Sequence, residues 1–250
     1  MDENQNVFMA KVTEQAERYD DMKAYVMAVI ESEGVKRPLT SEERHLFSVA
    51  YKNIVGVRRA ALRVISGMED RLNDDEEESE AKTRKSSILK EYRDIVEKEV
   101  VTICGDVDRI VREQLLPKVG AEDEKDVNQV KVFYHKMIGD YHRYLAEMYS
   151  NDNPDRPTAI DASRAAYKEA MNAGKDLGPL NSVYLGLVLN FSVFYYELEE
   201  DVKEACRLAR EAFDAAYAVM DEDPNENKES ALIMQLLRDN LTLWSAEDRD

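Results

Sequence analysis

The sequence predicts an all-α chain of about nine helices, and three observations lead there. Apolar residues recur at the helical period almost from end to end. Glycine (9) and proline (6) are scarce among 250 residues, while Ala, Leu, Glu, Lys and Arg fill the long segments. That composition favours helix over sheet. The interruptions are short and polar, as expected of antiparallel hairpins joined by tight connections. A hydrophobic share of 44% is enough to build a substantial core.

The elements follow in order. Two helices are expected at 3–18 and 20–33, and GVKRPLT then breaks the pattern. Thr40 followed by Glu43, in TSEE, makes a capping box that starts a long third helix at 41–72. The acidic run NDDEEESE from Asn73 reads as a solvated turn before a fourth helix at 79–116. LLPKVG closes that helix and opens a polar loop from Pro117 to Asn128. Further helices are expected at 126–150, 156–174, 180–198, 201–221 and 227–245, with NDNPDRPT, DLGPLNS and DEDPNENK among the breaks. No fixed repeat period runs through the chain.

Charge and motif content narrow the function. The 52 acidic and 34 basic residues leave a net charge of -18, which argues against non-specific binding to nucleic acid or anionic lipid. A local basic pocket is still compatible with that total. Cys104 and Cys206 fall within helical patterns and read as buried free thiols in a reducing compartment. MDENQNVFMAKV lacks a signal-peptide layout. The longest apolar stretch, Tyr184 to Tyr196, contains Asn190 and Ser192 and falls short of the ~20 residues that span a bilayer. The expectation is a cytoplasmic protein, with the nucleus as a second location and no membrane insertion.

Catalytic constellations and cofactor motifs are absent: HExxH, GxSxG, a P-loop and CxxC all fail to occur. His45, His135 and His142 have no evident metal-ligand partners. Asp221, Asp223, Asn225 and Asn227 imitate the start of a calcium loop. However, Glu226 stands where glycine is needed and Leu232 where glutamate is needed. No enzyme, metal or cofactor is expected.

Two helical faces carry cations. In SVAYKNIVGVRRAALRV, Lys52, Arg59 and Arg63 recur at i, i+7 and i+11. In KVFYHKMIGDYHRYLAE, Lys136, Asp140 and Arg143 share a face with Tyr144 beside it. If the faces meet, arginine forks and a tyrosine hydroxyl suit a phosphate dianion, and Asp140 can hold the guanidinium groups in place. The alternative is a set of ordinary surface ion pairs. Two further helices set an asparagine within an apolar stripe: Leu189, Asn190, Val193 and Glu197 in one, Leu236, Asn240 and Leu243 in the other. A buried asparagine needs hydrogen-bond partners. It can find them in the backbone of an extended peptide or inside the protein's own core.

TEQAERYDDM, SVAYKNIVG, KVFYHKMIGDYHRYLAE, LGLVLNFSVFYYE and LIMQLLRDNLTLW resemble the signature segments of 14-3-3 proteins, and the likeness spans essentially the whole chain. The resemblance implies a single domain over 1–245, with a short acidic tail at 246–250. It implies nine antiparallel helices in a curved stack with a concave amphipathic groove, paired into a horseshoe dimer. Residues 1–117 would serve dimerisation and the groove floor, and 126–245 the peptide-binding half. Lys52, Arg59, Arg143 and Tyr144 match the family's phosphate-binding set, and Asn190 and Asn240 its peptide-backbone clamps. Leu189, Val193, Ile233, Leu236 and Leu243 match the apolar wall. Lys136, Glu197 and Trp244 match other groove positions. Val12, Ala16, Ala61, Ile65, Met68 and Tyr92 match the apolar dimer seam, with Arg18 and Glu99 as an intersubunit ion pair.

The resemblance has exceptions. Ile138 stands where the family usually has a groove lysine, and Ala60-Ala61-Leu62 replaces a stretch that includes a regulatory serine at the second position. Asp21 is present, but its usual lysine partner has become Ile95. The resemblance implies an adaptor for phosphoserine or phosphothreonine segments of client proteins. A homodimer is expected, with a heterodimer with a paralogue as the alternative. A helical scaffold that binds unphosphorylated acidic or hydrophobic segments is the rival reading.

Overall fold

The computed structural model describes residues 2–32, 37–74, 79–120, 126–220 and 228–247, and among these the regular structure is helical. Residues 75–78 of the acidic run, the calcium-loop imitation at 221–227, and the end of the tail lie outside the described residues. The chain divides into two compact units, Met1–Ala121 and Glu122–Asp250.

The first unit comprises α1 (Glu3–Gln15), α2 (Tyr19–Ile30), α3 (Ser41–Asn73) and α4 (Glu80–Ile110). A capping box starts α1: Asp2 accepts from the Gln5 N–H at 2.8 Å, and the Gln5 side chain accepts from the Asp2 N–H at 3.1 Å. The helix ends three residues before its expected limit. Glu17 takes a left-handed φ of 55°, and the Arg18 N–H turns back to the Thr13 carbonyl at 2.8 Å. The TSEE box forms as the sequence predicts, with the Thr40 N–H donating to Glu43 at 2.7 Å. The Arg37 fork reaches the same carboxylate at 2.8 Å. Burial opposes the charge on Glu43, but Arg37 and the Thr40 N–H outweigh it and hold the carboxyl below its ordinary range.

The fourth helix stops at Ile110 rather than 116. Val111–Leu115 form a widened π-type turn and Leu116–Lys118 a tight 3₁₀ turn. Pro117 has no N–H to donate, so the α-helical ladder has to change register before it. Antiparallel packing of α1 on α2, α2 on α3 and α3 on α4 buries Ala10, Met22, Phe47, Ala50, Tyr51, Val100 and Val107. A buried aromatic also steadies a charge here: the Lys23 ammonium lies 5.1 Å from the centre of the Tyr51 ring and donates to Asp106 at 2.8 Å.

The second unit comprises α5 (Val127–Met148), α6 (Arg156–Ala173), α7 (Ser182–Glu197), α8 (Val202–Ala218) and α9 (Lys228–Glu247). Asn181 caps α7 by accepting from the Tyr184 N–H at 3.0 Å, and Asp201 caps α8 through Glu204 at 3.0 Å. Apolar residues cover α7 on all sides, and it accordingly packs against α5, α6, α8 and α9. Leu185, Leu187, Val188, Phe191 and Phe194 form the centre of this core. At Gly139 a Cβ would stand 2.7 Å from the Tyr167 ring, so glycine lets α6 lie directly on α5. Tyr167 in turn stacks on Phe191, with ring centres 5.1 Å apart.

Candidate functional site

On α3, helical spacing separates two adjacent arginines by about 100°. Arg58 turns to the unit's own carboxylates, Glu99 at 3.0 Å and Asp20 at 3.5 Å. Arg59 is half-buried on another face, close enough to Cys104 to influence its thiol. Lys52 and Arg63 on the same stripe are exposed, and Lys52 has no ion-pair partner among the described residues.

On α5, one buried carboxylate organises several groups. Asp140 Oδ2 accepts from Lys136 Nζ at 2.7 Å. Its Oδ1 accepts from the Tyr167 hydroxyl at 2.6 Å and from Asn190 Nδ2 at 2.7 Å. Burial opposes ionisation, but Lys136 and Arg143 with these donors more than compensate, so the carboxyl titrates below its ordinary range. Arg143 is buried as well. Its Nε donates to the Tyr167 oxygen at 3.2 Å, its Nη1 to Glu147, and its guanidinium carbon lies 4.9 Å from the centre of the Tyr144 ring. Burial again opposes the charge, and Tyr167, Asp140 and Glu147 keep it. Lys136 and Arg143 are thereby balanced locally by Asp140 and Glu147.

Because ionised Asp140 can only accept, the Asn190 amide turns its NH₂ toward that carboxylate, and its Oδ1 accepts no hydrogen bond among the described residues. Leu189, Val193 and Ile233 are half-buried against the core of the second unit, while Leu236 and Leu243 are exposed along α9. Asn240 lies half-buried between them and makes no side-chain hydrogen bond among the described residues. Exposed Leu232 extends that stripe by one helical turn toward the start of α9, an extension the sequence reading left out. Glu197 is exposed. Trp244 is 2% exposed and stacks on Tyr196 at 4.8 Å, so it shapes the surface from beneath rather than displaying its ring. Ile138, at the position of a family lysine, is fully buried.

The sequence profile of the 14-3-3 protein family matches residues 9–245. The chain belongs to the 14-3-3 family. It is 48% identical over 240 residues to 14-3-3-like protein 2 of Caenorhabditis elegans, a match covering 95% of this chain and 90% of the relative. It is 45% identical over 252 residues to 14-3-3-like protein B of Nicotiana tabacum, covering 100% of this chain and 94% of the relative. With 14-3-3 protein beta/alpha of Bos taurus it shares 46% over 251 residues, covering 100% and 95%. As a 14-3-3 protein it is an adaptor that binds client proteins, and not an enzyme. No helix among the described residues is long and apolar enough to cross a membrane.

The positions that the 14-3-3 resemblance associates with dimerisation are spread between surface and core of the first unit. Val12, Ala16, Met68, Tyr92 and Ile95 are exposed, Ala61 is half-buried, and Ile65, at 4% exposure, belongs to the unit's own core. Arg18 pairs with Asp21 at 2.5 Å and Glu99 with Arg58 at 3.0 Å, both within the chain. Phe8 (64% exposed), Val64 and Ile88 add apolar surface that the sequence reading omitted. Helical spacing carries a signal for two of them: Phe8 precedes Val12, and Ile88 precedes Tyr92, by four residues. Tyr167 was also omitted. Only the preceding Gly139-Asp140 pair hints at it, and nothing in helical spacing points from one helix to the next.

Proposed function

We propose that this chain binds phosphoserine or phosphothreonine segments of its client proteins, and does so as a homodimer. Lys52, Arg59, Arg143 and Tyr144 receive the phosphate. Asn190 and Asn240 hold the peptide backbone, with Lys136 and Glu197 beside them. Leu189, Val193, Ile233, Leu236 and Leu243 pack the peptide's side chains over Trp244. The observation that carries this reading is Arg143, in a family of client-binding adaptors: its buried guanidinium is held by hydrogen bonds to Tyr167 and Glu147, and its Nη2, 3.9 Å from Asp140, makes no hydrogen bond among the described residues. A planar fork of that kind fits phosphate oxygens by charge-assisted hydrogen bonds.

The exposed apolar residues of α1, α3 and α4 support pairing of two copies through the first unit. Two linked sites would raise avidity for doubly phosphorylated clients through effective concentration. We place the protein in the cytoplasm with access to the nucleus, where fractionation of cells would find it. Fluorescence anisotropy with a phosphoserine peptide and its serine counterpart tests the central reading. Tight binding of the phosphopeptide alone is expected. Equal affinity for both peptides would favour the scaffold that recognises unphosphorylated segments.

A further inference from the structure

The cluster around Asp140 contains one polar group that no ligand-facing role explains. Tyr167 is fully buried, with its ring lodged between the α5 backbone at Gly139 and the face of Phe191. For packing alone a phenylalanine would serve, because a buried hydroxyl costs stability unless its hydrogen bonds are made. Here both are made, and both go to side chains of α5: the hydroxyl donates to Asp140 at 2.6 Å and accepts from Arg143 Nε at 3.2 Å.

We propose that Tyr167 is a positioning residue for ligand binding. Its hydroxyl joins the Arg143 guanidinium to the Asp140 carboxylate, and through Asp140 to the Asn190 amide, so that the two contacts are set as one unit. The proposal rests on the phosphopeptide reading above. Fixing Nε on Tyr167 and Nη1 on Glu147 orients the plane of the fork and leaves its remaining N–H groups for an anion. The same hydroxyl proton helps keep Asp140 in the acceptor state that holds the Asn190 NH₂, so that the amide oxygen is the end left to accept from a ligand. Burial and the neighbouring Asp140 raise the phenol well above its ordinary pKa, so the proton stays on the tyrosine and the direction of both bonds is constant across the neutral range.

The test is a double-mutant cycle read by phosphopeptide affinity. The probe is a phosphoserine peptide selected by the wild-type protein from a library with randomised flanks, with its serine twin as control. Tyr167→Phe is expected to weaken the phosphopeptide about tenfold, the scale of one hydrogen bond to a charged group. In an Arg143→Gln background the same change is expected to cost less than about twofold, because the group it positions is gone. A wild type that does not distinguish the two peptides overturns the phosphopeptide reading itself. A wild type that does distinguish them, with Tyr167→Phe binding equally well or losing the same factor in both backgrounds, leaves that reading standing and overturns the positioning role. If Tyr167→Phe does not fold, the wild type decides through its arginine Nε–H nuclear resonances. A slowly exchanging signal that disappears in Arg143→Gln supports the proposal, and rapid exchange at Arg143 overturns it.

Discussion

The α3 face of the first unit and the α5 face of the second carry the same kind of charge in opposite settings. Lys52 stands exposed without an ion-pair partner among the described residues, while Arg143 is buried and bound to Tyr167, Glu147 and, at longer range, Asp140. An exposed lysine contributes charge but little geometry, since its ammonium is well hydrated and its stem flexible. A buried arginine contributes geometry, but here two carboxylates offset the charge of Arg143 and Lys136. The proposed function therefore divides the work: Arg143 on α5 sets the direction of a phosphate contact, and Lys52 on α3 supplies a charge that has no ion-pair partner among the described residues.

The largest expected effect comes from removing the centre of the buried cluster. Asp140→Ala leaves Lys136, Asn190 and Tyr167 without their shared acceptor and Arg143 without the carboxylate 3.9 Å from its Nη2, and breaking a buried ion pair from one side typically costs about 3–5 kcal/mol. Urea denaturation measures this, and a loss below about 1 kcal/mol would show that the cluster is not structural. Acid titrates the same interaction in the wild type. The Asp140 carboxyl is held below its ordinary pKa of 3.8, so its stabilisation is complete above that pH and is lost as the pH falls through the lower folded value.

Paired substitutions sharpen the contrast between the two faces. Arg143→Gln is expected to weaken the phosphopeptide about tenfold or more and to lower stability as well. Lys52→Gln should weaken binding only about two- to fivefold, with stability unchanged and the effect fading at high salt. Identical behaviour of the two variants in anisotropy and urea denaturation would remove the division of labour.

The dimer seam extends the comparison to apolar contacts. Tyr92 and Ile95 of α4 are 55% and 53% exposed, whereas Arg18 and Glu99 already have partners within the chain. Apolar area should therefore dominate, at about 1.5–3 kcal/mol per large side chain buried, over exposed ion pairs at ~0–1 kcal/mol. Sedimentation equilibrium should find Tyr92→Asp at least about tenfold weaker in self-association, and the wild-type dimer little changed between low and high salt. Strong salt dependence would give the ion pairs the larger share.

The smallest effect concerns the thiols. Burial pushes Cys104 up to about 12, against a lowering by Arg59, whereas Cys206 is only half-buried. A thiol reagent at pH 8 should label Cys206 first, and Cys104 only on unfolding.

Much of the molecule was legible in the sequence because it depends on residues a few positions apart. The TSEE box, the stripe of Lys52, Arg59 and Arg63, and the α5 set of Lys136, Asp140 and Arg143 all follow from helical spacing and capping chemistry. So does the membership in a family, since whole signature segments survive with their order intact. Helix ends were less legible. Glu17 leaves α1 through a left-handed turn that glycine would normally signal, and α4 changes register ahead of Pro117 rather than at it.

What the sequence by itself determined was the helical class, the faces of the helices and the chemistry those faces carry. Tertiary structure alone decided which of those side chains are displayed and which are enclosed. Trp244 turns inward onto Tyr196, and Ile65 enters the core although Val64 beside it is exposed. Asp140 finds Tyr167 at a separation of 27 residues and Asn190 at 50. The physical reason is that local spacing sets the direction of a side chain around its own helix axis. The neighbouring helix that it meets depends on close packing across the unit, here on the absence of a Cβ at Gly139 that lets the Tyr167 ring reach α5.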